Sequence, residues 1–147
     1  MVLRTAHGAR TGEDVEDLRA WLLELPTPGP LSETVVLACR GHGGDSGPTW
    51  MYVEADPVAG VARRRCLACA QSAYLLDSEP RWTHPQTWAC QGCAHSIVEV
   101  VAGLHLVDGA HVDWVALAAR CVDCGRVAGL TDITLEPTPR ADVLARL

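Results

Sequence analysis

Four short pairs of potential metal ligands constrain this chain more than any other feature of its sequence. Each pair has two residues between its ligands, and the pairs are Cys39–His42, Cys66–Cys69, Cys90–Cys93 and Cys121–Cys124. They contain one histidine and all seven cysteines of the chain. Two closed tetrahedral zinc sites require eight such ligands. The spacing therefore predicts zinc as part of the fold, with no coordination position open for catalysis.

The ligand pairs belong to a longer internal repeat. The segment Thr34–His42 resembles Pro85–Cys93, and Arg64–Cys69 resembles Ala119–Cys124. A period of roughly 50 residues is typical of repeated supersecondary units. The chain is therefore predicted to be a tandem duplication.

The repeat predicts how the pairs combine into sites. The first site would consist of Cys39, His42, Cys66 and Cys69. The second would consist of Cys90, Cys93, Cys121 and Cys124. A rival combination of the two middle pairs is spatially possible, but it would cut across the repeat.

Two Zn²⁺ ions are the expected cofactors, because thiolate and imidazole ligands in tetrahedral geometry suit zinc. Iron is the alternative at the second site, where all four ligands are cysteines, whereas His42 argues against iron at the first. Redox activity is disfavoured, because redox-active CxxC motifs usually stand alone at a helix N-terminus.

Length and composition limit how much stability the hydrophobic core alone can provide. A chain of 147 residues forms one ordinary domain or two very small ones, and a repeat of about 50 residues commonly needs metal as well. The absence of a long apolar run predicts no membrane span and no secretory signal. An odd number of paired cysteines then favours metal over disulfides, in a reducing cytoplasm.

The charge of the chain argues against general nucleic-acid binding. The formal net charge is −6, and seven thiolates with two Zn²⁺ would bring it to about −9. An acidic protein lacks the phosphate neutralisation that supplies most non-specific affinity for nucleic acids. All the basic residues are Arg, and Lys, Phe and Asn are absent, which indicates a high-GC, bacterial genome.

The sequence divides into four predicted parts. They are an N-terminal helix with a Pro-rich linker (1–30), a first repeat (31–80), a second repeat (81–136) and a C-terminal tail (137–147). The tail is expected to fray or to form a short helix.

An amphipathic helix is predicted over residues 12–25. Thr11–Asp14 offers an N-cap and acidic residues for the first turn, and apolar residues follow at helical spacing. These are Val15, Leu18, Leu22 and Leu25. We expect this stripe to pack on the rest of the chain; the alternative is a helix that docks onto a protein partner. Residues 1–11 carry no clear pattern and are expected to fray.

Strand signals dominate after the linker. Predicted strands cover residues 34–38, 50–54, 61–65, 97–101, 104–107, 112–118 and 126–135. Turn signals lie at Asp56–Gly60 and at Asp108–Gly109.

The arrangement of residues 34–135 resembles two tandem copies of the zinc-ribbon family, the rubredoxin-like zinc-β-ribbon fold. In that family each CxxC turn directs backbone N–H groups at the sulfurs, and the residue after the second ligand is often Gly with positive φ. Gly125 and Gly43 follow this pattern, whereas Ala70 and Ala94 depart from it. The resemblance implies a small, β-rich, metal-stabilised protein, but it does not imply a function.

No catalytic constellation is recognisable. The segment Gly44–Gly47 is similar to the serine segment of trypsin-like proteases, but the chain is too short for that double barrel, and a turn explains the segment better. His95, beside Cys93, could replace a ligand or donate to the site. Three other histidines are expected on the surface or as hydrogen-bonded strand residues: His84, His105 and His111. We therefore expect the protein not to be an enzyme.

One basic cluster, Arg63–Arg65, precedes Cys66. On a strand, Arg63 and Arg65 share one face and Arg64 the other. With nearby tryptophans they could bind nucleic acid, or they could offset the thiolate-rich sites. Closed sites and acidic charge favour a protein-interaction adaptor or regulatory subunit. The alternative is a nucleic-acid-binding ribbon, such as a transcription or RNA-associated factor.

Overall fold

A computed structural model describes residues 4–6, 9–27, 29–39, 41 and 49–147. The predicted ligand His42 and the segment Gly44–Gly47 lie outside the described residues. In chain order the elements are β1 (Arg4–Ala6), β2 (Ala9–Thr11), α1 (Val15–Glu24), β3 (Glu33–Val36), β4 (Met51–Asp56), β5 (Val61–Cys66), β6 (Ser72–Tyr74), β7 (Val98–Leu106), β8 (His111–Cys121), β9 (Val127–Pro139) and α2 (Arg140–Ala145).

One antiparallel sheet joins the two predicted repeats. Its strands run in the order β6-β5-β4-β7-β8-β9, and β3 also pairs with β7. Each repeat therefore contributes a three-stranded meander, and the meanders meet where β4 pairs with β7. The predicted division at 80/81 falls in the connection between β6 and β7, and it stays a prediction.

The two meanders are related by an internal pseudo-twofold axis. Met51 pairs with Val98 across the junction. Each of them also pairs with a cysteine on its own side, Met51 with Cys66 and Val98 with Cys121. Equivalent positions of the two repeats can thus be matched strand by strand.

The repeats exchange their leading segments. The backbone N–H of Leu37, just before Cys39, donates to the carbonyl of Val100 at 3.0 Å. Its counterpart Trp88, just before Cys90, donates to the carbonyl of Val53 at 2.7 Å. Each segment that enters a ligand pair therefore adds to the first strand of the other repeat. Backbone hydrogen bonds cross between the repeats in both directions, so the two halves are built into one unit.

Two sequence predictions for the strands are wrong. Residues 97–101 and 104–107 were expected to form separate strands, but one strand, β7, runs through both because Gly103 continues the pairing with β8. The frayed segment expected before residue 12 contains the hairpin of β1 and β2. Its end is tied to the sheet by the Gly12 N–H, which donates to the Gly125 carbonyl at 2.8 Å.

Helix α1 covers the outer face of the second repeat. Asp14 caps the helix by accepting the N–H of Asp17 at 3.0 Å. Leu18 and Leu22 are fully buried against Val101 and Ala118. The apolar stripe is thus used inside the chain, which corrects the alternative that residues 12–25 present it to a partner.

The main core lies on the opposite face of the sheet. Buried side chains from β4, β5, β7, β8 and β9 meet there, and α2 adds Val143. Strands β7 and β8 are therefore buried on both faces, whereas the outer face of β4 and β5 has no helix over it in the described part of the chain. Neither of the two described helices is long and apolar enough to cross a membrane.

Candidate metal centres

Four cysteine sulfurs of the second repeat converge at one end of the sheet. The Sγ atoms of Cys90, Cys93, Cys121 and Cys124 all lie within 4.8 Å of one another. Cys90 and Cys124 are 3.5 Å apart, as are Cys93 and Cys121. A disulfide would bring two sulfurs to about 2.05 Å, whereas Zn–S bonds of about 2.3 Å in a tetrahedron separate them by about 3.8 Å. The donors fit a metal ion, and this group could hold one.

The first repeat brings together Cys39, Cys66 and Cys69. Their Sγ atoms also lie within 4.8 Å of one another, with Cys39 and Cys69 at 3.5 Å. The structure thus groups the cysteines within each repeat and does not combine the two middle pairs. The predicted fourth ligand, His42, lies outside the described residues. This cluster could also hold a metal ion.

Three of the ligand turns share one backbone pattern. The first cysteine of each turn donates its N–H to the carbonyl five residues ahead, at 2.9 Å for Cys66 and at 2.8 Å for Cys90 and Cys121. The residue after the second cysteine donates back to the first cysteine's carbonyl and has positive φ. These residues are Ala70 (61°), Ala94 (66°) and Gly125 (78°). The two alanines therefore adopt the conformation that the glycine accepts more easily.

Backbone amides stabilise the sulfurs of the leading pairs. Gly41 N–H contacts Cys39 Sγ at 3.4 Å, and Gly92 N–H contacts Cys90 Sγ at 3.3 Å. A Cβ on Gly41 would lie 2.4 Å from the side-chain oxygen of Gln71. The glycine in the third position of the turn therefore leaves room for the neighbouring turn.

Burial and amide contacts act in opposite directions on the thiols of the second cluster. Burial raises the pKa of Cys121 to about 12, and it also raises the pKa of Cys124. Burial opposes ionisation of Cys90 too, but the N–H groups of Cys93 and Gly92, together with the thiols of Cys124 and Cys93, lower the pKa of Cys90. Four thiolates at this position thus require a bound cation, and metal binding must release protons.

His95 lies against the second cluster without being part of it. Its Nδ1 is 3.3 Å from Cys93 Sγ and 3.7 Å from a carboxylate oxygen of Asp123. With four sulfurs already grouped, His95 has no ligand position to fill there. Its contact suits a donor to the Cys93 sulfur, the second of the two roles considered from the sequence.

Two other histidines have carboxylate partners that were not expected from the sequence. His105 Nδ1 on β7 lies 2.6 Å from a carboxylate oxygen of Asp113, which lies at a bulge in the neighbouring strand β8. His111 Nδ1 lies 2.8 Å from a carboxylate oxygen of Asp108. Both are thus strand or turn residues with hydrogen-bond partners, as expected. Only the pairing of β7 with β8 brings His105 and Asp113 together, so no local pattern could have identified it.

The basic cluster divides between the two faces of β5, as predicted. Arg64 is buried and donates to the carbonyl of Leu147 at 3.0 Å. Arg63 Nη2 donates to both carboxylate oxygens of Glu54, at 2.7 and 2.8 Å. Its guanidinium also stacks on the rings of Tyr74 and Trp82. Arg63 is thus neutralised within the chain.

Arg65 has a different environment on the same outer face. Its guanidinium lies 4.9 Å from the ring centroid of Tyr52, on the neighbouring strand β4. Two exposed apolar residues lie just beyond the adjacent ends of these strands: Trp50 precedes β4, and Leu67 follows β5. The arginines and tryptophans were candidates from the sequence, but no local pattern grouped these four residues.

Comparison of the chain with family models, with the curated proteins and with the solved structures finds no match. The relation to zinc ribbons therefore stays a resemblance.

Proposed function

We propose that this protein is a structural zinc-binding protein that acts through a protein partner, as an adaptor or regulatory subunit, and that it is not an enzyme. The observation that carries the proposal is an exposed apolar and aromatic surface beside the first cysteine cluster. It consists of Trp50, Tyr52, Arg65 and Leu67, and we name it the Trp50 patch. We further propose that the protein works in the reducing cytoplasm, where its thiols stay available to metal.

Zinc is the proposed metal at both clusters, with iron as the alternative at the second. Thiolate donors at tetrahedral spacing suit either ion. Closed coordination by Cys90, Cys93, Cys121 and Cys124 would leave no position for a water or a substrate. At the first cluster we propose His42 as the fourth ligand. The metals would then stabilise the fold, and function would depend on surfaces outside them.

The Trp50 patch has the composition of an interaction site. Trp50 is 49% exposed and Leu67 is 39% exposed, while Trp, Tyr and Arg are the residues enriched at energetically important interface positions. Trp50 directly precedes β4, and Tyr52 is the second residue of that strand, so continued alternation places both on the same face.

Backbone contacts also anchor the patch next to the first cysteine cluster. The N–H of Leu67, inside the Cys66–Cys69 turn, donates to the Trp50 carbonyl at 3.0 Å. Tyr52 pairs directly with Arg65. A patch anchored in this way loses little conformational freedom when a partner binds.

Site-specific photo-crosslinking in cells that make the protein tests the proposal. A photoreactive phenylalanine derivative at Leu67 should give a discrete protein adduct, and Trp50→Ala should abolish it. The control position is Val58, which is 96% exposed in the β4–β5 turn. Equal adducts at both positions, or none at Leu67 in correctly metallated protein, would count against the proposal.

Nucleic-acid binding is the second candidate, favoured by the stacking of Arg63 and Arg65 on aromatic rings. Single-stranded nucleic acids use such platforms, but Arg63 is neutralised by Glu54 and the net charge is −6. A salt titration of oligonucleotide binding distinguishes the candidates. Steep loss of affinity with salt, blunted by Arg65→Ala, would favour the nucleic-acid function.

A further inference from the structure

The pseudo-twofold axis places Arg65 of the first repeat where Arg120 stands in the second. Arg65 pairs with Tyr52 across β4 and β5, and Arg120 pairs with Glu99 across β7 and β8, in the same register relative to the cysteine that follows each arginine. Differences between these two positions can therefore be attributed to their side chains.

Arg120 has two acceptors within the chain. Its Nη1 contacts a carboxylate oxygen of Glu99 at 2.7 Å, and its Nε donates to the carbonyl of Gly12 at 2.8 Å. Gly12 belongs to the segment that enters α1. The side chains of Arg120 and Glu99 are only 12% and 7% exposed. In the second repeat this outer-face arginine thus holds both a carboxylate and a crossing segment of chain.

Arg65 has neither of these acceptors. Tyr52 occupies the position of Glu99, so a ring replaces the carboxylate. Among the described residues no carboxylate lies within ion-pair distance of the Arg65 guanidinium. Within the described part of the chain, Arg65 is therefore exposed, with an aromatic ring on one side and no carboxylate partner.

Resting on the proposed function, we infer that the Trp50 patch binds an acidic and apolar segment of the protein partner. A carboxylate of that segment occupies the position at Arg65 that Glu99 occupies at Arg120. Apolar side chains next to that carboxylate pack on Trp50 and Leu67. Carboxylate recognition by a guanidinium is directional and charge-assisted.

The segment is extended and short rather than an α1-like helix. Helix α1 approaches the second repeat closely over small residues, and a Cβ on Gly103 would lie 3.1 Å from a methyl group of Leu22. The residues at the equivalent positions of Gly103 and Ala118 are Asp56 and Arg63. These larger side chains prevent a comparable helix approach, which favours a short, extended segment near Cys66.

NMR titration of the metal-loaded, ¹⁵N-labelled protein tests the inference with two peptides. The probe is acetyl-Gly-Leu-Glu-Asp-Leu-Gly-amide, and its control carries Gln and Asn in place of Glu and Asp. We expect shifts confined to the Trp50 indole, the Arg65 side chain and their neighbours, with the acidic peptide bound at least about tenfold more tightly. Equal affinities for the two peptides would overturn the inference.

Tyr52→Glu supplies the missing carboxylate from within the chain. It should pair with Arg65 as Glu99 pairs with Arg120, keep the fold and the metal content, and weaken the acidic peptide about tenfold. Arg65→Gln should weaken it similarly, and the control Val58→Ala should not. Wild-type affinity in metal-loaded Tyr52→Glu protein would also overturn the inference.

The same titrations separate this inference from the proposed function. If the neutral peptide binds the patch as tightly as the acidic one, the inferred partner chemistry is wrong while a protein-binding patch stands. If a single-stranded oligothymidylate shifts the patch resonances and neither peptide does, both are wrong, and the nucleic-acid candidate takes their place.

Discussion

The two repeats share one backbone plan but treat the outer face of the sheet differently. In the second repeat that face carries Val101, Ala116 and Ala118, and α1 covers it. In the first repeat the equivalent strands carry Glu54 and Arg63, which form an ion pair instead. The strands and ligand turns of the two halves thus match, while the side chains on one face differ between the half that α1 covers and the half that carries the ion pair.

The reciprocal exchange of leading segments makes the repeats interdependent. Leu37 donates to β7 and Trp88 donates to β4, so the segment that enters each cysteine cluster pairs with the other repeat. The outer faces of the two repeats differ, but their backbones are joined. We therefore expect the two repeats to unfold together.

The largest expected effect comes from removing equivalent ligands, Cys66→Ser and Cys121→Ser. Apparent binding free energies of structural zinc are about 10–16 kcal/mol, well above the usual stability of a domain. Each variant should lose its metal and cooperative unfolding. Metal content and thermal unfolding by circular dichroism measure this. If either variant kept two metals and its melting temperature, that cluster would not be structural.

The next largest effect should separate the two equivalent arginines. Arg120→Ala leaves Glu99 buried without its partner, which costs about 3–5 kcal/mol. Arg65→Ala removes only an exposed stacking contact and should cost at most about 0.5 kcal/mol. Urea unfolding of both metal-loaded variants measures the difference. Similar losses would mean that the two positions are not distinguished by burial.

Truncation of the apolar stripe on α1 tests how this helix packs on the second repeat. Leu22→Ala opens a cavity between α1 and β7 and should destabilise the protein by about 2–5 kcal/mol. Its exposed neighbour Leu23→Ala is the matched control, since that side chain is 56% exposed. Guanidinium unfolding compares them. Equal and small losses would contradict the packing of α1 on the second repeat.

Smaller effects are expected at the ligand turns. Ala70→Gly and Ala94→Gly relieve positive φ and should stabilise the protein by about 1 kcal/mol each. Gly125→Ala should destabilise it by more, because its Cβ would lie 2.7 Å from the Gly12 carbonyl oxygen. Differential scanning calorimetry orders the three variants. A destabilised Ala94→Gly protein would show that unfolded-state entropy outweighs the strain there.

The smallest effect concerns acid sensitivity of the two hairpin turns. The pKa of Asp56 is lowered mainly by a hydrogen bond from the backbone N–H of Ala59. The pKa of Asp108 is lowered mainly by a hydrogen bond from the backbone N–H of Ala110. A lowered folded-state pKa stabilises the protein above the unfolded value, and this stabilisation disappears as pH falls through the folded value. Asp56→Asn and Asp108→Asn should each flatten the stability profile below about pH 4. Unchanged profiles would contradict these turn contacts.

The sequence anticipated features that depend on local patterns. Ligand spacing and internal repetition indicated which cysteines lie together, and alternation placed Arg63 and Arg65 opposite Arg64. Turn residues positioned the β4–β5 and β7–β8 connections. Each of these rests on residues close together in sequence, where geometry follows directly from period and spacing.

Features that depend on distant pairing could not be read from the sequence. The predicted strand before Cys39 and the similar segment before Cys90 do not specify their partners, so nothing indicated that each would pair with the other repeat. The ion pair of Arg120 with Glu99, and its absence at Arg65, became visible only once the register matched the two positions. Strand propensity identifies a strand, but side-chain packing decides what lies beside it.

Zinc per folded chain, measured by elemental mass spectrometry on freshly purified protein, tests the central claim most directly. Two zinc ions are expected in the wild-type protein, and one or none in Cys90→Ser, because the second cluster then lacks a ligand. Two zinc ions in both proteins would contradict a structural role for Cys90. Iron, or no metal, in the folded wild-type protein would contradict the proposal of two structural zinc sites.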